Sequence, residues 1–156
     1  MRREGGFSYV IVMFLVGILS LAALRAIENT ITNERRELEA ELLWRGAAYR
    51  EAIRRFHAGS PGETKKYPEE LKDLLSDQRL TRPARPLRKL YRDPMSATGQ
   101  WGVLRNERGE VIGVHSLSSV RPIKRNGFPK ELADFTNAQH YSDWRFVYLP
   151  EQEKLR

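Results

Sequence analysis

The side chains best suited to proton transfer or metal binding are few and poorly placed. His57, His115 and His140 fall at an expected helix end, in a strand and in a loop, with no Asp, Glu or Cys framework at ligand spacing beside them. Structural histidines are the expectation. The chain has no cysteine, which excludes disulfides and thiolate metal sites. It has no G-x-S-x-G, H-E-x-x-H or P-loop pattern. No catalytic residue, cofactor or metal ligand is assigned, and an enzyme is not expected. The chemistry the residues do invite is done to the chain itself. Gly5 and Gly6 stand directly before Phe7 and a long apolar run. A secretory signal places its small-residue cleavage site after such a run. Here Ala22-Ala23-Leu24-Arg25-Ala26 sets Leu and Arg where that site needs small residues. Hydrolysis of the Gly6–Phe7 bond would instead leave the apolar segment as a new N-terminus.

The element presenting that bond is a helix. From Phe7 to Leu24, eighteen residues carry no charge, and eleven of them are Leu, Ile, Val or Phe. At ~1.5 Å per residue the run spans about 27 Å, close to a hydrocarbon core of roughly 30 Å. Each of the eleven contributes about −0.3 to −0.6 kcal/mol on insertion at the membrane centre. A transmembrane segment over 7–24 is therefore expected. Arg2 and Arg3 hold the preceding side in the cytoplasm.

Beyond Arg25 the pattern changes but stays helical. Ile27, Ile31, Leu38, Leu42, Tyr49, Ile53 and Phe56 recur at steps of three, four and seven, as one face of an amphipathic helix requires. Glu34, Arg35, Arg36, Glu37, Glu39, Glu41, Arg50, Glu51 and Arg54 fill the other, solvated face. Gly59-Ser60-Pro61-Gly62 ends it, so one helix from Phe7 to about His57 is predicted. Tyr67-Pro68 with Leu71, Leu74 and Leu75 predicts a short helix, and 79–89, rich in arginine, an exposed connector. Gly99–Leu104 and Glu110–Ser116, joined by Asn106-Glu107-Arg108-Gly109, predict a β-hairpin. A long loop, a helical turn near Lys130 to Phe135 and a strand over Trp144–Leu149 follow. The fold class is α+β: a long N-terminal helix, transmembrane then amphipathic, packed on an antiparallel sheet of about three strands.

Taken together, these residues resemble the type II secretion pseudopilins, in particular the major-pseudopilin group of the type IV pilin superfamily. The resemblance lies in Gly5-Gly6-Phe7 with its run, Tyr67-Pro68 with Leu71, and Asp93-Pro94 followed by Gly99 to Gly102. The hairpin ending His115-Ser116-Leu117 and the aromatic closing strand from Trp144 add to it. The resemblance implies a prepilin leader at 1–6, cut after Gly6 by a prepilin peptidase, with N-methylation at Phe7. It implies four parts: leader 1–6, transmembrane segment 7–24, amphipathic periplasmic helix 25–57 and globular head 58–156. The implied protein is a single-pass inner-membrane subunit, N-terminus cytoplasmic and head periplasmic. It joins or initiates a short periplasmic filament that drives protein export. Its implied partners are other pseudopilins, in a homo- or hetero-polymer, and the inner-membrane secretion platform.

Two positions depart from the family pattern. The fifth residue counted from Phe7 is Ile11, where the family carries a glutamate that pairs with a neighbour's N-terminal amine; a minor or atypical subunit is the expectation. The loop after the hairpin, which in the family supplies acidic ligands to calcium, reads Ser118-Ser119-Val120-Arg121-Pro122-Ile123-Lys124-Arg125, with Asp134 and Asp143 further on. Calcium, which needs clustered oxygen ligands, is not expected there. The formal charge of +7, or +6 without the leader, is spread among acids and reads as a solvated surface. The readings set beside this one are a type IV pilus minor pilin, a DNA-uptake pilin and a membrane-anchored adaptor that does not polymerise. For DNA, Arg79–Lys89 and Arg121–Lys130 would draw phosphates, and Trp101, Tyr141 or Trp144 would stack on bases; the solvated basic face is preferred.

Overall fold

A computed structural model describes residues 5–62, 64–79 and 83–150, with only the backbone described at 5–8, 24 and 26–30. The chain is α+β. Among the described residues helix α1, Gly5–Ala58, is followed by three short 3-10 segments and three strands: β1 Gly102–Arg105, β2 Val111–His115 and β3 Arg145–Val147. The strands form one antiparallel sheet in the order β1-β2-β3. The chain divides into two compact units, one reaching to Glu37 and the other beginning at Leu38.

The first unit is helical, and its described side chains from Tyr9 to Ala23 are uncharged and exposed all round. Among the described residues no helix is long and apolar enough to cross a membrane. The uninterrupted stretch of described side chains covers about 22 Å at ~1.5 Å per residue. The expected span 7–24 also takes in Phe7, Ser8 and Leu24, whose side chains lie outside the described residues.

In the second unit α1 buries Leu42, Tyr49, Ile53 and Phe56, as its periodicity predicts, and Ala52 beside them. Two members of the predicted stripe are not covered: Leu38 here and Ile31 in the first unit are exposed. Ile27 lies outside the described side chains. The Tyr49 ring meets Trp101 edge-on at 5.6 Å, and Trp101 meets Phe146 of β3. Gly46 is the point of closest approach: a Cβ there would lie 2.3 Å from the Phe146 ring. The helix ends at Ala58, where the Gly59 N–H still reaches the Arg55 carbonyl at 2.9 Å. The buried Ser60 hydroxyl then donates to the Lys66 carbonyl and accepts the Lys66 N–H.

The predicted short helix is a 3-10 turn, Leu71–Leu75, that buries Leu74. Between β1 and β2, Asn106 accepts the Arg108 and Glu110 N–H groups on its side-chain oxygen, and Gly109 takes φ +77°. An asparagine-led turn of this type closes a hairpin, and a bulge at Leu104/Arg105 adjusts its register. The closing strand is shorter than expected and pairs Phe146 with Val114 of β2. Phe128, Phe135, Tyr141 and Trp144 complete an aromatic core, with Phe135 stacked on Trp144 at 5.4 Å.

Candidate functional site

Gly6 and Phe7 lie in the first turn of α1, described as backbone only, and the leader residues Met1–Glu4 lie outside the described residues. Ile11 is 43% exposed on that helix. Its neighbours Val10, Val12, Met13, Phe14 and Leu15 are each more than half exposed. A continuous apolar surface of this kind in water marks a place where a membrane or another chain belongs.

The histidines stand in different surroundings. His57, almost buried at the end of α1, lies 4.4 Å from the Tyr67 ring and 5.7 Å from Tyr148. His115 on β2 turns Nδ1 to the Ser116 carbonyl at 2.8 Å. His140 is exposed beside Asp143. Among the described residues no three His, Cys, Asp or Glu side chains are placed to hold one metal ion. Asp143 spends its carboxylate on the His140 and Gln139 N–H groups at 2.8 and 2.9 Å. Those hydrogen bonds, the His140 one foremost, hold its pKa below the usual carboxylate value.

Two corrections concern charge. The 79–89 segment is not simply an exposed basic connector. Arg79 lays its guanidinium on the Phe56 ring at 3.5 Å, pairs with buried Asp77 at 2.7 Å and donates to the Phe56 carbonyl. Its hydrogen bond is the main reason the Asp77 carboxyl titrates lower than usual. The backbone folds back as well, with Asp77 bridging Ala84 and the Leu87 N–H on the Leu74 carbonyl. Residues 80–82 lie outside the described residues. The second correction is Glu39. Its place in the sequence puts it on the solvated face of α1, yet it is 4% exposed. One of its oxygens accepts the N–H groups of Ile123 and Lys124, at 3.0 and 2.9 Å. Those partners come from a loop more than eighty residues away in sequence, so no local signal announces them.

The basic loop itself leaves Arg121 and Arg125 exposed, and Lys124 reaches over the Phe128 ring at 5.1 Å. The rings named for base stacking are withdrawn from solvent: Tyr141 and Trp144 are fully buried and Trp101 nearly so. Packing of the aromatic core claims them. Asp93, from the Asp-Pro pair, is a further buried carboxylate beside Asp77 and Glu39, 2% exposed. It accepts from the Ser116 hydroxyl at 2.7 Å, the Leu117 N–H at 3.2 Å and the Met95 N–H at 2.8 Å.

No family model, curated protein or solved structure matches the chain. Its functional reading therefore rests on these residues and their surroundings. They divide into an uncovered apolar helix in one unit and, in the other, a head whose polar interior serves structure. Sequence reasoning singled out the first. It missed Glu39 and Gly46, since a glutamate among charged neighbours and a lone glycine in a helix carry no mark of what will face them.

Proposed function

We propose that the chain is a pseudopilin subunit of a type II secretion system, of a minor or atypical kind. The observation that carries this reading is the uncharged, exposed stretch of α1 from Tyr9 to Ala23. The amphipathic continuation, whose stripe from Leu42 to Phe56 is seated in a small three-stranded head, is consistent with it. In this reading Phe7–Leu24 lodges in the inner membrane once a prepilin peptidase has cut after Gly6 and Phe7 has been methylated. Sister subunits then pack against the same segment, and the head stands in the periplasm as part of a short filament that drives export. Ile11 favours a minor subunit. A glutamate at that depth costs roughly 2.5–3.5 kcal/mol unless paired, and isoleucine removes both the penalty and the pairing.

Co-expression with a prepilin peptidase, followed by mass spectrometry of the N-terminus, tests the reading. The expected product begins at N-methylated Phe7. A product that begins at Met1, or beyond Leu24, refutes it. Cysteines introduced at Val16 and Leu24 separate filament from tether: crosslinked ladders support polymerisation, and their absence supports a membrane-anchored adaptor.

A further inference from the structure

We infer that Glu39 is an internal latch that fixes the Leu117–Lys124 loop with a carboxylate, doing the work a calcium ion does in the resembled family, so that the head folds without metal. The direction of the loop's peptide groups carries this. Peptide units are planar and trans, so each N–H points away from the carbonyl of the same unit. With the Ile123 and Lys124 N–H groups on Glu39, the Pro122 and Ile123 carbonyls face away from that carboxylate. They cannot converge with it on one cation.

The proximal half of the loop is arranged in the same sense. Asp93 has both oxygens engaged, Oδ1 by the Met95 N–H and Oδ2 by the Ser116 hydroxyl and the Leu117 N–H. Ser116 Oγ accepts the Ser118 N–H at 3.1 Å, and Ser118 Oγ accepts the Val120 N–H at 3.3 Å. The N–H groups of residues 117, 118, 120, 123 and 124 thus all point at side-chain oxygens. Calcium requires six to eight oxygen ligands, whereas this loop turns its donors inward and carries Arg121, Lys124 and Arg125. Three of those five N–H groups, at 117, 123 and 124, meet the negative charge of a carboxylate. At 123 and 124 Glu39 supplies that charge from a helix, a rigid element held in place by the apolar stripe beside it.

Hydrogen exchange on the full chain in detergent micelles tests the latch, with the paired Val114 amide of β2 as internal reference. In Glu39→Ala, exchange at Ile123 and Lys124 should rise at least about tenfold relative to Val114, and Glu39→Gln, which keeps one acceptor oxygen, should fall between. Unchanged exchange at those two amides overturns the latch. If Glu39→Ala does not fold, Glu39→Gln and the native chain decide. Native melting midpoints in excess calcium and in chelator should agree within about one degree, and a larger rise with calcium overturns the metal independence. The contrast with calcium rests on the pseudopilin reading. The two amides do not, and the N-terminal mass tests that reading separately.

Discussion

Gly46→Ala should destabilise the protein, against the ordinary rule for helices. In a helix interior alanine is favoured over glycine by about 1 kcal/mol. The new methyl, however, would meet three atoms of the Phe146 ring at 2.3 to 2.4 Å. Carbon atoms in contact rest at about 3.5–4.0 Å, so the overlap exceeds an ångström. A ring on a loose surface would swing aside. Phe146 is fully buried and is held edge-on by Phe135 at 5.1 Å and by Trp101 at 6.2 Å. Overpacking costs about 1–3 kcal/mol, and an overlap this large against a pinned ring takes the upper half of that range, which leaves a net loss of about 1–2 kcal/mol after the propensity gain. For a chain of this size that lowers the melting midpoint by roughly 2–8 °C. Thermal unfolding in detergent, followed by circular dichroism, measures it. Gly17→Ala, with open space around its new methyl, is the control and should be neutral or slightly stabilising. Phe146→Leu should offset part of the Gly46→Ala loss, a coupling of the size seen between touching residues. A Gly46→Ala protein as stable as the native chain would refute the close-packed contact.

Two further expectations follow from charge. Glu51 accepts hydrogen bonds from Arg54 and Arg55, and these, Arg54 first, bring its carboxyl down to about 2. A folded pKa below the unfolded one contributes stability that is full above about pH 5 and is lost as pH falls toward 2. Since all three side chains are 41% exposed or more, solvent screening keeps the contribution below about 1 kcal/mol. Acid titration of stability should show a small loss in that window, diminished in Glu51→Gln; an identical profile in the variant would remove Glu51 from the account. In the segment proposed to lodge in the membrane, Ile11→Glu should weaken retention of the lone subunit, by roughly 2.5–3.5 kcal/mol of insertion free energy. A partner amine should then be needed to restore it. Carbonate extraction with and without partner subunits measures this, and unchanged retention and filament incorporation would count against the role given to Ile11.

What could be read from residues alone was whatever local periodicity and turn chemistry decide. Leu42, Tyr49, Ile53 and Phe56 announced their burial through helical spacing, Asn106 to Gly109 announced the hairpin, and Gly59 to Gly62 the helix end. Spacing fixes which side of a helix is apolar but not how far along it a cover extends, which is why Leu38 and Ile31 remain exposed. Arg79 reads as one cation in a basic run because, Asp77 apart, the partners that hold it, Phe56 and Ser60, are distant in sequence. Glu39 and Asp93 were hidden for the same reason. Their burial depends on donors that the folded loop brings to them, the Ile123 and Lys124 N–H groups for Glu39 and Ser116 and Leu117 for Asp93, whereas the Met95 N–H on Asp93 is local. The uncovered stretch near Ile11 was legible because an unbroken run without charged side chains needs no distant partner to be seen.

The three tryptophans give the chain a built-in set of optical reporters. Trp44 is 59% exposed, Trp101 is 9% and Trp144 is fully enclosed. Iodide in solution will reach the indole of Trp44 and leave the other two bright. The quenchable fraction of the emission therefore reports what touches the outer side of α1, while the protected fraction reports whether the aromatic interior is intact. One fluorescence titration on unlabelled protein can tell docking of a neighbour from loss of the fold.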